Sequence, residues 1–192
     1  VGNVTDMSYM FHNVIEFNQP IGGWDVSNVT DMSSMFQRCL SFDQFLNDWD
    51  VSGVTNMNSM FSALYPTDGV FNQPLDNWNV SNVTDMSQMF VEQSQFNQDL
   101  NSWNVSNVTN MFQMFADCTA FNGNVSSWDV GSVQSMAGMF ANCIVFNHPL
   151  NTWNVSNVKK MGAMFRDTHA FNQTLEDWDL ESIELTSTSN PF

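Results

Sequence analysis

The histidines are the first residues to consider, because a histidine side chain could act as a base or bind a metal. His12, His148 and His169 are the three histidines of the chain, and each occupies a different position of the repeat that organises the sequence. They therefore neither stack on one another nor form a metal-binding set. The motifs of nucleophilic serine sites, zinc peptidases and phosphate-binding glycine loops do not occur in the sequence either. We predict that the protein is not an enzyme.

The cysteines, in contrast, share one position of the repeat. Cys39, Cys118 and Cys143 each lie seven residues after the first Met of an M-x-x-M segment, and the sequence has no C-x-x-C motif. Because Cys118 and Cys143 fall in consecutive repeats, a disulfide between them is one hypothesis. We favour small buried thiols, since free Cys packs like a small hydrophobic residue.

A row of small polar residues could bind a ligand. One Asp or Asn lies between the Trp and the Val of each repeat, and in most copies a Ser follows that Val. We predict that these residues form a polar strip on a concave face, which binds a protein or a glycan. The alternative is that they only serve tight turns. The residues of this polar strip are Asp25, Asp50, Asn79, Asn104, Asp129, Asn154, Asp179, Ser27, Ser52, Ser81, Ser106 and Ser156.

Calcium is a further hypothesis for the acidic residues. Asp25 lies six residues before Asp31, and oxygen atoms are the ligands that calcium prefers. Several copies have Asn in place of Asp, however, and no D-x-D-x-D-G loop occurs. We therefore predict no metal and no cofactor, with calcium at Asp25 and Asp31 as the alternative.

The charge of the chain limits its partners. Twenty acidic residues stand against 4 basic ones, which gives a formal net charge of −16. Such a charge repels nucleic acid and anionic membrane surfaces. No apolar run is long enough to insert into a membrane. Three of the basic residues, Lys159, Lys160 and Arg166, lie in the seventh repeat, so the acidic character fades there.

The tryptophans show how the chain is organised, because they recur every 25 residues except for one step of 29. A fixed period of this size signals stacked supersecondary units. A loop is inserted in the third repeat around residues 65–69, and residues 180-192 are predicted to be a C-terminal cap or a linker. The seven repeats of residues 1-179 are 1-25, 26-50, 51-79, 80-104, 105-129, 130-154 and 155-179.

The fourth repeat illustrates the predicted elements. Apolar residues from Val83 to Phe90 recur at steps of three and four, which predicts a short helix, and Thr84 stands where its N-cap would be. The segment Leu100–Val105, with the pattern L-x-x-W-x-V, predicts a short strand. We thus predict an α/β repeat solenoid, right-handed and leucine-rich-repeat-like, of about seven coils of strand plus helix or helical turn. A row of Asn from Asn18 to Asn172 is expected to bond along the stack.

Two segments resemble known repeats. The pattern L-x-x-W-x-V is similar to the L-x-x-L-x-L strand core of leucine-rich repeats, and Phe115–Phe121 resembles the A-F-x-x-C-x-x-L segment of BspA-like repeats. Residues 1-179 thus resemble BspA-like leucine-rich-repeat surface proteins, in particular the bacterial and mycoplasma-type surface lipoproteins with repeats of about 25 residues. The resemblance implies a secreted or cell-surface location and a role in adhesion, and it transfers no catalytic residues.

These observations favour a non-catalytic cell-surface recognition or adhesion module that binds a protein or glycan. The alternatives are a structural spacer, or stalk, that presents another domain, and a calcium-dependent surface protein. The first repeat lacks the strand that precedes the other copies, so we expect a fragment of a longer protein or a trimmed form. The exposed end of this repeat also predicts some end-to-end self-association.

Overall fold

The computed structural model describes residues 1–64 and 68–184, and within them it contains no helix and no strand longer than a single bridge. The predicted α/β solenoid of strands and helices, and with it the leucine-rich-repeat architecture, is therefore wrong. The chain instead forms seven coils, one for each repeat, which lie on one another and which we number from one to seven. The predicted loop at residues 65–69 and the predicted cap or linker at residues 180-192 lie partly outside the described residues, which exclude residues 65–67 and 185–192.

Each coil is a series of tight turns that connect apolar residues three positions apart. In the fourth coil the backbone N–H of Val83 donates to the carbonyl of Val80 at 2.9 Å, and that of Met89 donates to Met86 at 3.3 Å. The N–H of Trp103 donates in the same way to Leu100 at 3.0 Å. Such a bond from residue i+3 to residue i defines a β-turn. Each V-x-x-V, M-x-x-M and L-x-x-W segment is thus one turn whose apolar ends both point into the core.

The backbone conformation explains why the predicted helix does not form. Gln88 has a φ of 57° and Glu92 a φ of 61°, whereas a right-handed helix requires negative φ throughout. Gln88 is the third residue of the turn from Met86 to Met89, where a type II turn requires positive φ. Thr84 therefore caps no helix. The positive φ recurs at the same turn position in Tyr9, Ser34, Ser59, Gln88, Gln113, Gly138 and Ala163.

Backbone hydrogen bonds join neighbouring coils beside these turns. The N–H of Met86 donates to Asn110 at 3.0 Å, that of Gln88 to Phe112 at 2.8 Å, and that of Phe90 to Met114 at 2.9 Å. Alternate residues therefore bond to the next coil, while the residues between them close the turns of their own coil. Single parallel bridges mark this ladder along the stack, and they link Asp6, Asp31, Asn56, Asp85, Asn110, Ser135 and Lys160 in order.

The segment L-x-x-W-x-V is held by side chains and not by a strand ladder. Its predicted alternation is correct, since Trp103 and Val105 are buried and Asn104 between them is exposed. The indole N–H of Trp103 donates to the carbonyl of Leu75 in the preceding coil at 2.8 Å. The same bond, at 2.9 to 3.2 Å, is made by Trp49, Trp78, Trp128, Trp153 and Trp178.

Asn side chains join neighbouring coils at the position directly after the second core Phe of each repeat, as predicted. The backbone N–H of Asn97 donates to Oδ1 of Asn72 at 2.9 Å, and this bond recurs from Asn18 to Asn172. Asp43 replaces Asn in the second coil and accepts from the N–H of Asn72 at 2.9 Å. A carboxylate suffices because the ladder needs only an acceptor.

The core is continuous from end to end. The Val, Met, Phe, Leu and Trp positions of coils two to six are buried, and Phe rings stack within a coil, as for Phe90 and Phe96 at 4.2 Å between ring centroids. They also stack between coils, as for Phe90 and Phe115 at 5.6 Å. The first coil is different, because Tyr9 is 60% and Met10 is 44% exposed. End-to-end self-association stays a prediction.

The three cysteines are free and buried, which confirms the prediction of buried thiols. Burial raises the pKa of the Cys39 thiol to about 11 and raises the pKa of the other two thiols well above its usual range. The Cys118 thiol donates to the carbonyl of Phe90 in the preceding coil at 2.9 Å. Thr168 makes the equivalent bond to Phe140 at 2.6 Å, and Gln93 makes it to Phe61. In coils two and four to seven this position therefore supplies a donor to the preceding coil, whereas coils one and three have Val14 and Leu64 there. Packing of a small apolar side chain does not predict this bond.

Candidate binding surface

The polar strip lies on the outside of the stack. All seven of its Asp and Asn side chains are exposed. In the first six copies the Trp before and the Val after them point into the core, whereas Asp179 is followed by the exposed Leu180. The Ser side chains are partly exposed, apart from Ser27, which is fully exposed. The structure therefore brings the predicted residues together in one row, with one Asp or Asn from each coil.

The Asp and Asn side chains of the strip also form turns, which was the alternative interpretation. Oδ1 of Asp50 accepts the backbone N–H of Ser52 at 3.0 Å. In every other coil Oδ1 accepts the N–H of the residue two positions on, at 3.0 to 3.2 Å. This bond fixes the side chain and leaves its second polar atom, Oδ2 or Nδ2, available on the surface.

The first two aspartates of the strip have carboxyl groups whose pKa is lowered, so that their charged form is favoured. The hydroxyl and then the backbone N–H of Ser27 lower the pKa of the Asp25 carboxyl, because both donate to its charged form. Ser52 lowers the pKa of Asp50 in the same way, and the negative charge of Asp25 partly opposes this effect. The two carboxylates on neighbouring coils therefore both stay ionised at neutral pH.

A second row of Asn, next to the Ser of the strip, was missed in the sequence analysis. Nδ2 of Asn82 donates to the carbonyl of Ser52 in the preceding coil at 2.8 Å. Asn28, Asn107 and Asn157 make the same bond at 2.6 to 2.7 Å. The repeated S-N pair was the available signal. These bonds join the coils along the strip, where backbone pairing does not.

A polar hollow lies beside Asp50 and Asn79 of the strip, between the second and third coils. Asp48, Asp50, Asn77 and Asn79 line it with the side chain of Asn47, and its volume is about 360 Å³. Asn47 itself is only 7% exposed, and its Nδ2 donates to Oδ1 of Asp76 at 2.9 Å. The hollow is thus a fixed arrangement of amides and carboxylates that can bind hydroxyl, amine or guanidinium groups.

The calcium hypothesis gains no support from the geometry. Both carboxylate oxygens of Asp31 are used, by the N–H of Ser33 at 2.8 Å and by Nδ2 of Asn56 at 3.0 Å. In residues 1–64 and 68–184, no group of three His, Cys, Asp or Glu side chains could hold a metal ion. The Thr84 hydroxyl donates to the carbonyl of Thr55 at 3.2 Å and so belongs to the bonds between coils.

Comparison with known proteins identifies a repeat family. The family model described as "Mycoplasma protein of unknown function, DUF285" matches the chain three times, at residues 1–68, 62–143 and 102–190. No curated protein matches the chain. These matches support a repeat protein of mycoplasma type and not the BspA-like leucine-rich-repeat family specifically. Among the described residues, no helix has the length and apolar character needed to cross a membrane.

Proposed function

Since the chain belongs to this DUF285 family of repeat proteins, we propose that it is a non-catalytic recognition module at a cell surface. Its polar strip would bind a protein or a glycan outside the cell, in the manner of an adhesin. The supporting observation is the uninterrupted row of exposed Asp and Asn, each held by its own turn. A surface fixed before binding loses little conformational entropy when a ligand binds, so many weak polar contacts add up.

The charge of the strip favours a partner with amine or guanidinium groups. Asp25, Asp50, Asp129 and Asp179 place carboxylates on four of the seven coils, and the whole chain has a net charge of −16. A basic protein segment or an amine-bearing glycan would be attracted to this row. Contacts of this kind are screened by salt, so the affinity should fall as the ionic strength rises.

The proposal can be tested with a panel of glycans and extracellular-matrix proteins, with and without calcium. A variant with Asp50→Lys, Asn79→Lys, Asn104→Lys and Asp129→Lys should lose at least about tenfold in affinity for the ligand that the wild type binds. The matched control carries the same total change of charge on exposed residues outside the strip, namely Glu16→Lys, Asp68→Lys, Gln95→Lys and Val145→Lys. Equal loss of affinity in both variants would reduce the effect to net charge and contradict a site on the strip.

A milder variant separates charge from folding. Asp50→Asn and Asp129→Asn keep the Oδ1 acceptor for the turn and remove only the negative charges. We expect weaker binding of a cationic ligand and an unchanged melting temperature. Binding that requires calcium in the wild type, and is lost in this variant, would instead favour the calcium-dependent alternative.

A structural spacer is the second candidate function. The specific observation in its favour is that the core and the ladders between coils continue without interruption, which suits a stiff rod. A spacer would bind nothing in the panel and would tolerate all the charge changes above without loss of stability. That outcome would replace the adhesin proposal.

A further inference from the structure

A groove crosses the outside of coils five to seven, away from the polar strip. Its floor consists of Ala137, Gly138, Gly162 and Ala163, and Phe112 forms one wall. Lys160, Arg166 and Glu184 are the charged residues that line it, and the volume of the hollow is about 430 Å³. We call this feature the cationic groove.

The groove exists because side chains become smaller along the stack. Gln88 and Gln113 occupy one position of coils four and five, where coils six and seven have Gly138 and Ala163. The neighbouring position changes from Phe112 in coil five to Ala137 and Gly162. The large side chains of coil five therefore form one wall of the groove, and the small residues of coils six and seven leave open space beside it.

Two backbone donors in this groove have lost the acceptor that the earlier coils provide. In coils one to five, an Asp or Asn oxygen accepts the N–H of the residue two positions on, as Asp85 does for Ser87 at 2.8 Å. In coils six and seven this position is Ser135 and Lys160. Within the described residues, no acceptor contacts the N–H of Ala137 or of Gly162. The groove therefore presents two amides where a carboxylate or carboxamide oxygen is bound elsewhere.

The charged lining of the groove is positive on balance and so favours an anionic ligand, because Lys160 and Arg166 outweigh the single carboxylate of Glu184. Lys159, Lys160 and Arg166 are three of the four basic residues of a chain with a net charge of −16. Arg166 lies 3.7 Å from Asp167 in an exposed ion pair, which is weak in water. Lys160 stands at the position that is Asp or Asn in coils one to five, so a hydrogen-bond acceptor is exchanged for a cation.

We propose that the cationic groove binds an acidic peptide segment of a partner protein. A carboxylate of the peptide accepts hydrogen bonds from the N–H groups of Ala137 and Gly162 and is attracted by Lys160 and Arg166. An aliphatic side chain beside it covers the Gly138 and Ala163 floor. A peptide fits better than a sugar, because this floor has no side chains that could bond to hydroxyl groups, and burying them unpaired is costly. The site does not depend on the function proposed for the polar strip.

The test uses the full chain and a fluorescein-labelled peptide with the sequence Ala-Leu-Asp-Leu-Ala and blocked ends. Fluorescence anisotropy should show binding at least about tenfold tighter than for the same peptide with Asn in place of Asp, because charge-assisted hydrogen bonds are the stronger ones. Ser135→Asn should weaken binding by about tenfold without a change of charge, since Asn56 and Asn110 bond the equivalent amide from this position. The matched control is Ser132→Asn, an exposed position that is Asn in coils one, two, four, five and seven, and it should leave binding unchanged.

A second variant fills the space without changing a donor. Gly138→Gln places there the residue that coils four and five carry at similar positive φ, and it should also weaken binding, because the side chain fills the floor of the groove. Equal affinity of the wild type for the Asp and Asn peptides, or unchanged binding in both Ser135→Asn and Gly138→Gln, would overturn the proposal. Loss of binding in the lysine variant of the polar strip, with Ser135→Asn unaffected, would overturn it too, because the peptide would then lie on the strip.

Discussion

The bond between the Trp indole and the preceding coil gives a stability prediction that can be tested with a matched pair. Trp103 is 3% exposed, donates to the carbonyl of Leu75 at 2.8 Å and stacks between Trp78 and Trp128 at 6.4 and 6.3 Å. Trp103→Phe removes this donor and leaves space where the larger ring was. Trp24→Phe makes the same change in the first coil, where the ring is partly exposed and no carbonyl within the described residues accepts its N–H.

The expected magnitude follows from these two terms. Leu75 keeps its turn bond from the N–H of Trp78, so the lost indole bond should cost about 1 kcal/mol. The cavity in the core should add about 1 to 2 kcal/mol. Trp103→Phe should therefore lower the free energy of unfolding by about 2 to 3 kcal/mol, and Trp24→Phe by less than about 1 kcal/mol.

Urea unfolding followed by circular dichroism and by fluorescence of the remaining Trp measures both changes. Coincident transitions would support two-state analysis, which is needed because repeat arrays can unfold in parts. With a slope of about 2 kcal/mol per molar, the midpoint of Trp103→Phe should fall by roughly 1 M. If both variants lost the same stability, or if Trp103→Phe lost less than about 0.5 kcal/mol, the indole bonds would not hold the coils together and our reasoning would be refuted.

Three further predictions concern other positions of the coils. Asn97→Asp should change the free energy of unfolding in urea by less than about 0.5 kcal/mol, whereas Asn97→Leu should cost about 1 to 3 kcal/mol, because the N–H of Asn122 then loses its acceptor. Cys118 should react with iodoacetamide at pH 8 far more slowly in the native protein than in urea, since burial raises the pKa of its thiol; equal rates would contradict this. Burial, and then the charges of Asp117 and Asp68, raise the pKa of the Glu92 carboxyl to about 7. Its ionisation therefore destabilises the fold as the pH rises from about 4.5 through 7, and Glu92→Gln should stabilise the protein at pH 8 but not at pH 4, as thermal melts at both values can show.

The repeat itself could be predicted well, because each position has the same environment in every coil. The period of the Trp residues identified the coils, and the alternation around Trp103 and Val105 predicted which side chains point inward. The Asn ladder was also predicted correctly from identical amides at one position. The polar strip was located for a related reason, since an Asp or Asn between two buried residues must face outward.

The sequence by itself thus determined the repeat unit, the buried positions and the exposed row of Asp and Asn. Only the tertiary structure decided that turns replace the helix, because apolar residues three positions apart suit either element. Turns form because residues such as Gln88 have a positive φ, and hydrogen bonds to the next coil stabilise this conformation. The types of the side chains at these positions do not predict a positive φ. The structure alone also showed that Cys118, Gln93 and Thr168 are equivalent donors, because their common acceptor is a carbonyl in the neighbouring coil.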